Sequence, residues 1–317
     1  MAENLIHTPV MLARTLELLA PALEREGAVL VDATLGMAGH AEAFLERFES
    51  LTVVGIDRDQ DALAIARERL AQYAPRVHFV HAVYDAILPV LAELGIARVS
   101  GVLFDLGVSS LQLDRVERGF SYSKDAPLDM RMDATGERTA ATILATYSEV
   151  ELRRIFYEYG DEKLAPRFAS RIVQSREATP LVSSAQLVEL ISAATQAAAQ
   201  RAGHPAKRVF QALRIEVNQE LAVLERAIPD AIDALEVGGR IVVLAYQSLE
   251  DRIAKRVLQA RAASTAPRGL PVELPEHRPE LKLLVRGAEL ASDSERAANP
   301  RATPVRLRAA ERLRDVA

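Results

Sequence analysis

An apolar run, Val29-Leu30-Val31, closes on Asp32. A glycine-bearing turn follows, Ala33-Thr34-Leu35-Gly36-Met37-Ala38-Gly39-His40, and then helix-forming residues from Ala41 to Phe48. That order leaves few folds open. A short buried strand ending in an acid, then a glycine turn and a helix, is the opening unit of an open α/β sheet that takes a nucleotide-like ligand. A second apolar run, Leu51 to Ile56, ends in Asp57. Such folds place an acid at about this spacing against a ribose hydroxyl pair.

The loop argues against a dinucleotide. A pyrophosphate needs backbone N–H groups brought close, hence the middle glycine of G-x-G-x-x-G. Here Ala38 stands between Gly36 and Gly39, and the spacing is G-x-x-G. S-adenosylmethionine (SAM) presents a sulfonium and an amino-acid end instead of phosphates, and Asp32 beside the loop suits a cation. SAM is the favoured ligand. NAD and a ligand-free structural turn stay open, with Asp57 weighing against the latter.

Further along, His7-Thr8-Pro9 opens a helix, with Thr8 as N-cap and Pro9 at its first position. Gln60 to Tyr73 is helical in pattern, Val77 to Val80 is a third strand, and Val99 to Phe104 a fourth that ends in Asp105. Strands buried on both faces and alternating with helices indicate a parallel doubly wound sheet. From Leu106 to Arg138 the period is lost, in a stretch dense in Gly, Ser, Asp, Met and aromatic residues. So long a loop in a compact domain is usually functional, and it starts at the carboxyl end of a strand, where open α/β sheets put their sites.

An all-helical block follows. Ser148 to Glu151 fits a capping box opening a helix through Tyr159, with further helices over Leu164–Ser175 and from Ser184 to about Ala202. Val209, Leu213, Val217, Leu221, Leu224 and Ile228 mark one long amphipathic helix. Gly238-Gly239 then leads into a strand over Arg240–Ala245, and Leu281–Val285 and Val305–Leu307 are closing strands. The expected organisation is a sheet domain over 1–110 and 225–317, interrupted by a helical domain over 111–224.

Composition bounds the rest. The 317 residues are 49% hydrophobic and 26% charged, with no cysteine, so disulfides and thiolate metal sites are excluded. No apolar run reaches membrane-spanning length and the N-terminus lacks a signal-peptide pattern, so a cytoplasmic protein is expected. The histidines show no ligand spacing, and no metal is expected. The formal net charge is −5, yet from Arg252 onward fourteen Lys or Arg stand against eight Asp or Glu. That basic end can meet a polyanion, or be a solvated surface.

Several separated segments share one resemblance. Asp32-x-Thr34-x-Gly36-x-x-Gly39-His40 comes first, then Leu103-Phe104-Asp105-Leu106-Gly107-Val108-Ser109-Ser110-x-Gln112-Leu113-Asp114. Arg118-Gly119-Phe120-Ser121 and Pro127-Leu128-Asp129-Met130-Arg131-Met132-Asp133 follow. Phe210 to Ile215, Ser248-Leu249-Glu250-Asp251-Arg252 and Asn299-Pro300-Arg301-Ala302 complete the set. In this order and spacing they resemble the ribosomal RNA small subunit methyltransferase H family, over nearly the whole chain.

The resemblance implies a class I SAM-dependent methyltransferase fold, Rossmann-like, with an inserted all-helical domain. It implies methylation of the exocyclic N4 of a cytidine in the decoding region of bacterial 16S rRNA, with the small ribosomal subunit as partner. It puts cofactor contacts on Ala38, Gly39, His40, Asp57, Tyr84, Asp105 and Gln112. Three positions depart from the family pattern. Ala38 replaces a usual glycine, which matters only if its φ is positive. Tyr84 stands where Phe is frequent, and Ala245-Tyr246-Gln247 replaces a Ser-Phe-His run, so a catalytic histidine there does not carry over. The oligomeric state is left open, a homodimer being one option.

Cytosine N4 is a poor nucleophile because its lone pair is delocalised into the ring. A carboxylate accepting from the amino hydrogens localises that pair, and Asp105 stands in the right region to do so, or only to contact the cofactor. Phe120 or Tyr122 is the candidate to stack on the base, with loop packing as the alternative. Lys207, Arg208, Arg214, Arg252, Lys255 and Arg256 are candidates for phosphate contact. Asp129, Arg131 and Asp133 read as an ion-pair network fixing their loop. The competing readings are a SAM methyltransferase for another acceptor, an RNA-binding assembly factor that keeps SAM without turnover, and a nicotinamide-linked dehydrogenase.

Overall fold

Neighbouring residues in the strands bury themselves in opposite cores. Leu30, Val53, Leu103, Val242 and Leu307 belong to one cluster, while Val31, Val54, Val102, Val243 and Ala310 belong to another. A period of two with both faces apolar is what a sheet covered on both sides requires. A computed structural model describes residues 9–195, 204–267 and 274–315. The chain divides into two compact units, one reaching up to Gly107 and resuming at Leu221, the other Val108–Glu220.

Among the described residues the first unit holds seven strands: β1 Val29–Asp32, β2 Thr52–Asp57, β3 Val77–His81, β4 Val99–Asp105, β5 Leu235–Ala245, β6 Leu281–Leu283 and β7 Arg306–Arg312. Their order is β3-β2-β1-β4-β5-β7-β6. The run β3-β2-β1-β4-β5 is parallel, and β7 runs antiparallel between β5 and β6. The order reverses between β1 and β4, which opens a crevice at their carboxyl ends. The helices of this unit are α1 Leu12–Leu23, α2 Gly39–Arg47, α3 Gln60–Arg69, α4 Ile87–Glu93, α5 Glu220–Ala234, α6 Ser248–Arg261 and α7 Asp293–Ala298. Asp251 of α6 ties down β7, accepting two bonds from Arg308 and one from Arg306.

Four sequence expectations change. Pro9 does not start α1: the helix begins at Leu12, after Met11 at φ 52, and the proposed cap Thr8 lies outside the described residues. The long amphipathic helix is two helices, Ala206–Asn218 and α5, because Gln219 between them takes φ 51. Gly238-Gly239 does not precede β5 but forms a bulge within it: Val99 pairs with Leu235 and Gly101 with Arg240, and Gly238 takes the φ of 83 that such a kink uses. The closing strand β7 is longer than the Val305–Leu307 run and antiparallel.

The second unit is helical. Its main helices are Ala140–Thr146, Glu149–Glu158, Ala165–Ala178, Ser184–Ala193 and Ala206–Asn218. The fourth ends at Ala193 with Ala194 as its C-cap, short of the expected run to about Ala202, and 196–203 lie outside the described residues. The capping box of Ser148 and Glu151 is present. Ile143, Leu152, Phe156, Phe168, Leu187, Val209 and Leu213 form one buried core, joined by Leu128 and Met130 of the aperiodic stretch. That stretch is ordered by polar bonds. Arg131 grips Asp129 through Nε at 2.8 Å and its terminal nitrogen at 2.6 Å, and Asn218 accepts from Met132 N–H while donating to the Met130 carbonyl.

Candidate active site

Three carboxylates end three adjacent strands: Asp57 on β2, Asp32 on β1 and Asp105 on β4. The β1–α2 loop is laced to all three ends. Thr34 N–H donates to Asp32 Oδ1 at 3.2 Å, Gly36 N–H to Asp57 Oδ2 at 2.7 Å, and Asp105 N–H to Thr34 Oγ1 at 2.6 Å. Leu35 N–H reaches the Ile56 carbonyl, and a Cβ at Gly55 would stand 2.6 Å from the Leu35 side chain, which packs over the bare backbone there. Gly39 likewise lies under Pro9, whose Cγ would stand 2.6 Å from a Cβ there. Ala38 takes φ 63, the left-handed value at which a methyl group is strained by about 1 kcal/mol relative to glycine.

Burial works against ionisation of all three acids. It pushes Asp32 up to about 7, with the Thr34 bond opposing and the charges of Asp105 and Asp57 adding to the rise. Asp57 is pushed up to about 6 by burial, against the N–H groups of Asp59 and Gly36. Asp105 is raised by burial too, opposed by His40 and by the Tyr246 hydroxyl. Tyr246 donates to Asp105 Oδ1 at 2.7 Å, and His40 Nδ1 lies 3.6 Å from Oδ2. His40 is itself held below the usual histidine range by burial. A quarter of the Asp105 side chain stays open, at 27% exposure. Asp32 is buried and Asp57 and Asp105 are half-buried, so three acids crowd one end of the sheet, where an incoming cation would offset the charge that their ionisation brings. The same Asp57 carboxylate keeps lone pairs for a diol.

Ala38, Gly39, His40, Asp57 and Asp105 are thus brought together, and Tyr84 follows β3 with its ring edge-on to Phe104 at 5.6 Å. Thr34, Val10 and Tyr246 belong to the same cluster and were not given site roles from sequence, although Thr34 stands in the loop motif and Tyr246 in the run that departs from the family pattern. Gln112 lies in the other unit, where its side chain accepts from Ser109 N–H in a capping box. Phe120 is buried, and Tyr122 stacks on His204 at 5.0 Å and meets Phe210 edge-on, so neither ring stands free for a base.

The basic candidates divide as well. Arg214 is locked on Glu220 at 2.8 and 3.0 Å and is a structural residue of its unit. Arg256 pairs with Glu225 at 2.7 Å, and Arg208 lies 3.8 Å from Glu162. Lys207, Arg252 and Lys255 are exposed and show no ion-pair partner among the described residues. Also among the described residues, no group of three or more His, Asp or Glu side chains could hold a metal ion, and no helix is long and apolar enough to cross a membrane.

The family model described as the MraW methylase family matches residues 4–313. This chain belongs to the MraW methylase family. Its sheet unit is accordingly a class I methyltransferase fold, Rossmann-like and doubly wound, and its cofactor is S-adenosyl-L-methionine. Among relatives in this family, the ribosomal RNA small subunit methyltransferase H of Clavibacter sepedonicus is 73% identical over 314 residues, covering 99% of each chain. The protein of that name from Leifsonia xyli subsp. xyli is 70% identical, over 98% of this chain and 95% of its own. That of Saccharopolyspora erythraea is 62% identical, over 98% and 94%. The acid pocket fits the methylase cofactor: SAM supplies a methyl group on a sulfonium cation, together with a ribose diol.

Proposed function

We propose that this methylase acts on ribosomal RNA of the bacterial small subunit, on the exocyclic N4 of a cytidine in the decoding region of 16S rRNA. The observation that carries the acceptor is the whole-chain identity of 73% to a relative named for that subunit. The cytidine and its N4 come from the motif resemblance. On this reading the sheet unit holds SAM through Ala38, Gly39, His40, Asp57, Tyr84 and Asp105, and the helical unit recognises the RNA.

Alignment of the amine with the methyl group is the main demand, and orientation alone can lower such a barrier by about 7–11 kcal/mol at the limit. Asp105 then accepts from the amino group, localises its lone pair and offsets the charge developing on nitrogen. Lys207, Arg252 and Lys255 contact phosphate.

The test is transfer of labelled methyl from SAM to small ribosomal subunits from cells lacking this gene, with free 16S rRNA in parallel, followed by nucleoside analysis. Label in N4-methylcytidine is the expected result. Label in another nucleoside would replace the acceptor. No label with SAM still bound would favour a role in assembly without turnover.

A further inference from the structure

The nitrogen that His40 turns toward Asp105 is set by a third atom. His40 Nε2 lies 3.2 Å from the Val10 carbonyl oxygen. A carbonyl only accepts, so Nε2 carries a hydrogen in every form of the ring that keeps this bond. Nδ1 therefore faces Asp105 Oδ2, at 3.6 Å, with a bare lone pair when the ring is neutral. Lone pair against ionised carboxylate is repulsive, and one proton shared by the two groups relieves it from either side. On the other oxygen, Oδ1, Tyr246 can only donate its hydroxyl to the carboxylate. Asp105 is thus held at Oδ1 by a fixed donor, while Oδ2 faces, at 3.6 Å, a ring nitrogen that can carry either a lone pair or a proton.

The charged groups facing this pair are acids from every side. Asp32 stands at the end of β1 and Asp57 on β2 beyond it. Glu250 of α6 accepts from Tyr246 N–H, and Glu295 of α7 acts on both His40 and Tyr246. Such surroundings keep a proton on the pair until a cation enters.

We propose that the His40–Asp105 pair is a proton-holding site that SAM binding empties and the acceptor amine refills during methyl transfer, with Tyr246 fixing Asp105 in place. This rests on the proposed amine acceptor for its second half. In the transfer the nitrogen lone pair forms the N–C bond and the C–S electron pair returns to sulfur. The proton displaced from nitrogen passes to the Asp105 carboxylate, to be shared with His40 Nδ1. The sulfonium and the Asp105 carboxylate start as one positive and one negative charge and end with neither, so the transfer adds no net charge at the pair. Asp105 touches the reacting amine, whereas His40 and Tyr246 act through it as positioning residues.

The experiment is calorimetric titration of the whole protein with SAM and with S-adenosylhomocysteine, between pH 6 and 7.5, in buffers of different ionisation enthalpy. The two ligands differ by the sulfonium charge, so the difference in protons released isolates its effect. Greater release with SAM is expected, with the pair's share lost in His40→Gln, whose amide can still donate to Val10 but holds no titrating proton. Equal release with both ligands, or an undiminished difference in a SAM-binding His40→Gln, would overturn the proposal. Should that variant not fold, Tyr246→Phe carries the test. Losing the Tyr246 donor moves the acidic limb of the single-turnover pH profile to higher pH, and an unmoved limb overturns the proposal. The calorimetry needs no RNA, so it fails or holds independently of which nucleoside is methylated.

Discussion

Asp57 holds the loop that it is expected to serve with: its Oδ2 accepts from Gly36 N–H at 2.7 Å, while Oδ1 caps its own turn through Asp59 N–H at 2.8 Å. The acid at the end of β2 therefore shapes the β1–α2 loop before any ribose reaches it. Asp57→Ala removes both the anchor and the diol acceptor. A weakening of SAM binding by about 1–3 kcal/mol is expected for loss of a charged hydrogen-bond partner. Asp57→Asn, which keeps one carbonyl acceptor, should fall between. Calorimetric affinities unchanged in both variants would take Asp57 out of the site.

Asp32 gives a pH signature of the fold itself. An unfolded aspartate titrates near 3.8, whereas burial lets the folded protein keep this proton up to about 7. Between those values the folded state binds more protons, so this group's contribution to stability falls as pH rises through the window and stays low above it. Asp32→Asn keeps an oxygen to accept from Thr34 N–H and has nothing to ionise. Thermal unfolding of the ligand-free protein should show the variant gaining on the wild type from pH 5 to pH 8. Parallel curves across that range would mean that Asp32 ionises freely in the folded state.

Much of this site was legible because it sits at strand ends. An apolar run that stops on an acid marks both the strand and its functional end, which placed Asp32, Asp57 and Asp105 without a structure. What stayed hidden depends on contacts distant in sequence or on local geometry that composition does not encode. Val10 and Tyr246 meet His40 and Asp105 only through the sheet order. Gln219 carries a positive φ without being glycine, so the apolar stripe runs unbroken through a real helix boundary. Gly238-Gly239 reads as the lead-in to a strand because nothing in one strand reveals that its neighbour needs a bulge. Tyr122 has the composition of a stacking platform, and the fold turns it against His204 and Phe210.

Two glycines separate conformational strain from lack of space. Gly119 and Gly95 both take positive φ, 71 and 69. A Cβ at Gly119 would stand 2.1 Å from the Pro127 carbonyl oxygen, whereas at Gly95 nothing lies within 4 Å. Gly95→Ala should cost about 1 kcal/mol for the left-handed backbone alone. Gly119→Ala adds a clash with backbone that cannot swing away, for a total of about 3 kcal/mol. Urea midpoints measure both. Equal losses would show that the Arg118–Pro127 crossing yields freely.

Ion pairing decides which cations can meet RNA. Each Lys or Arg that neutralises a phosphate of single-stranded RNA steepens the fall of log affinity with log salt by about 0.7. Lys207, Arg252 and Lys255 are exposed without ion-pair partners among the described residues, so Lys207→Ala, Arg252→Ala and Lys255→Ala should each flatten that slope by about this amount. Arg256 is held by Glu225 at 2.7 Å, and Arg256→Ala should leave the slope unchanged. Arg214→Ala should act on stability instead, by about 3 kcal/mol, because it strips a cation from the buried Glu220. Salt titrations of binding to 16S rRNA fragments discriminate these outcomes. A slope altered by Arg256→Ala and not by the three exposed residues would put the RNA path elsewhere on the surface.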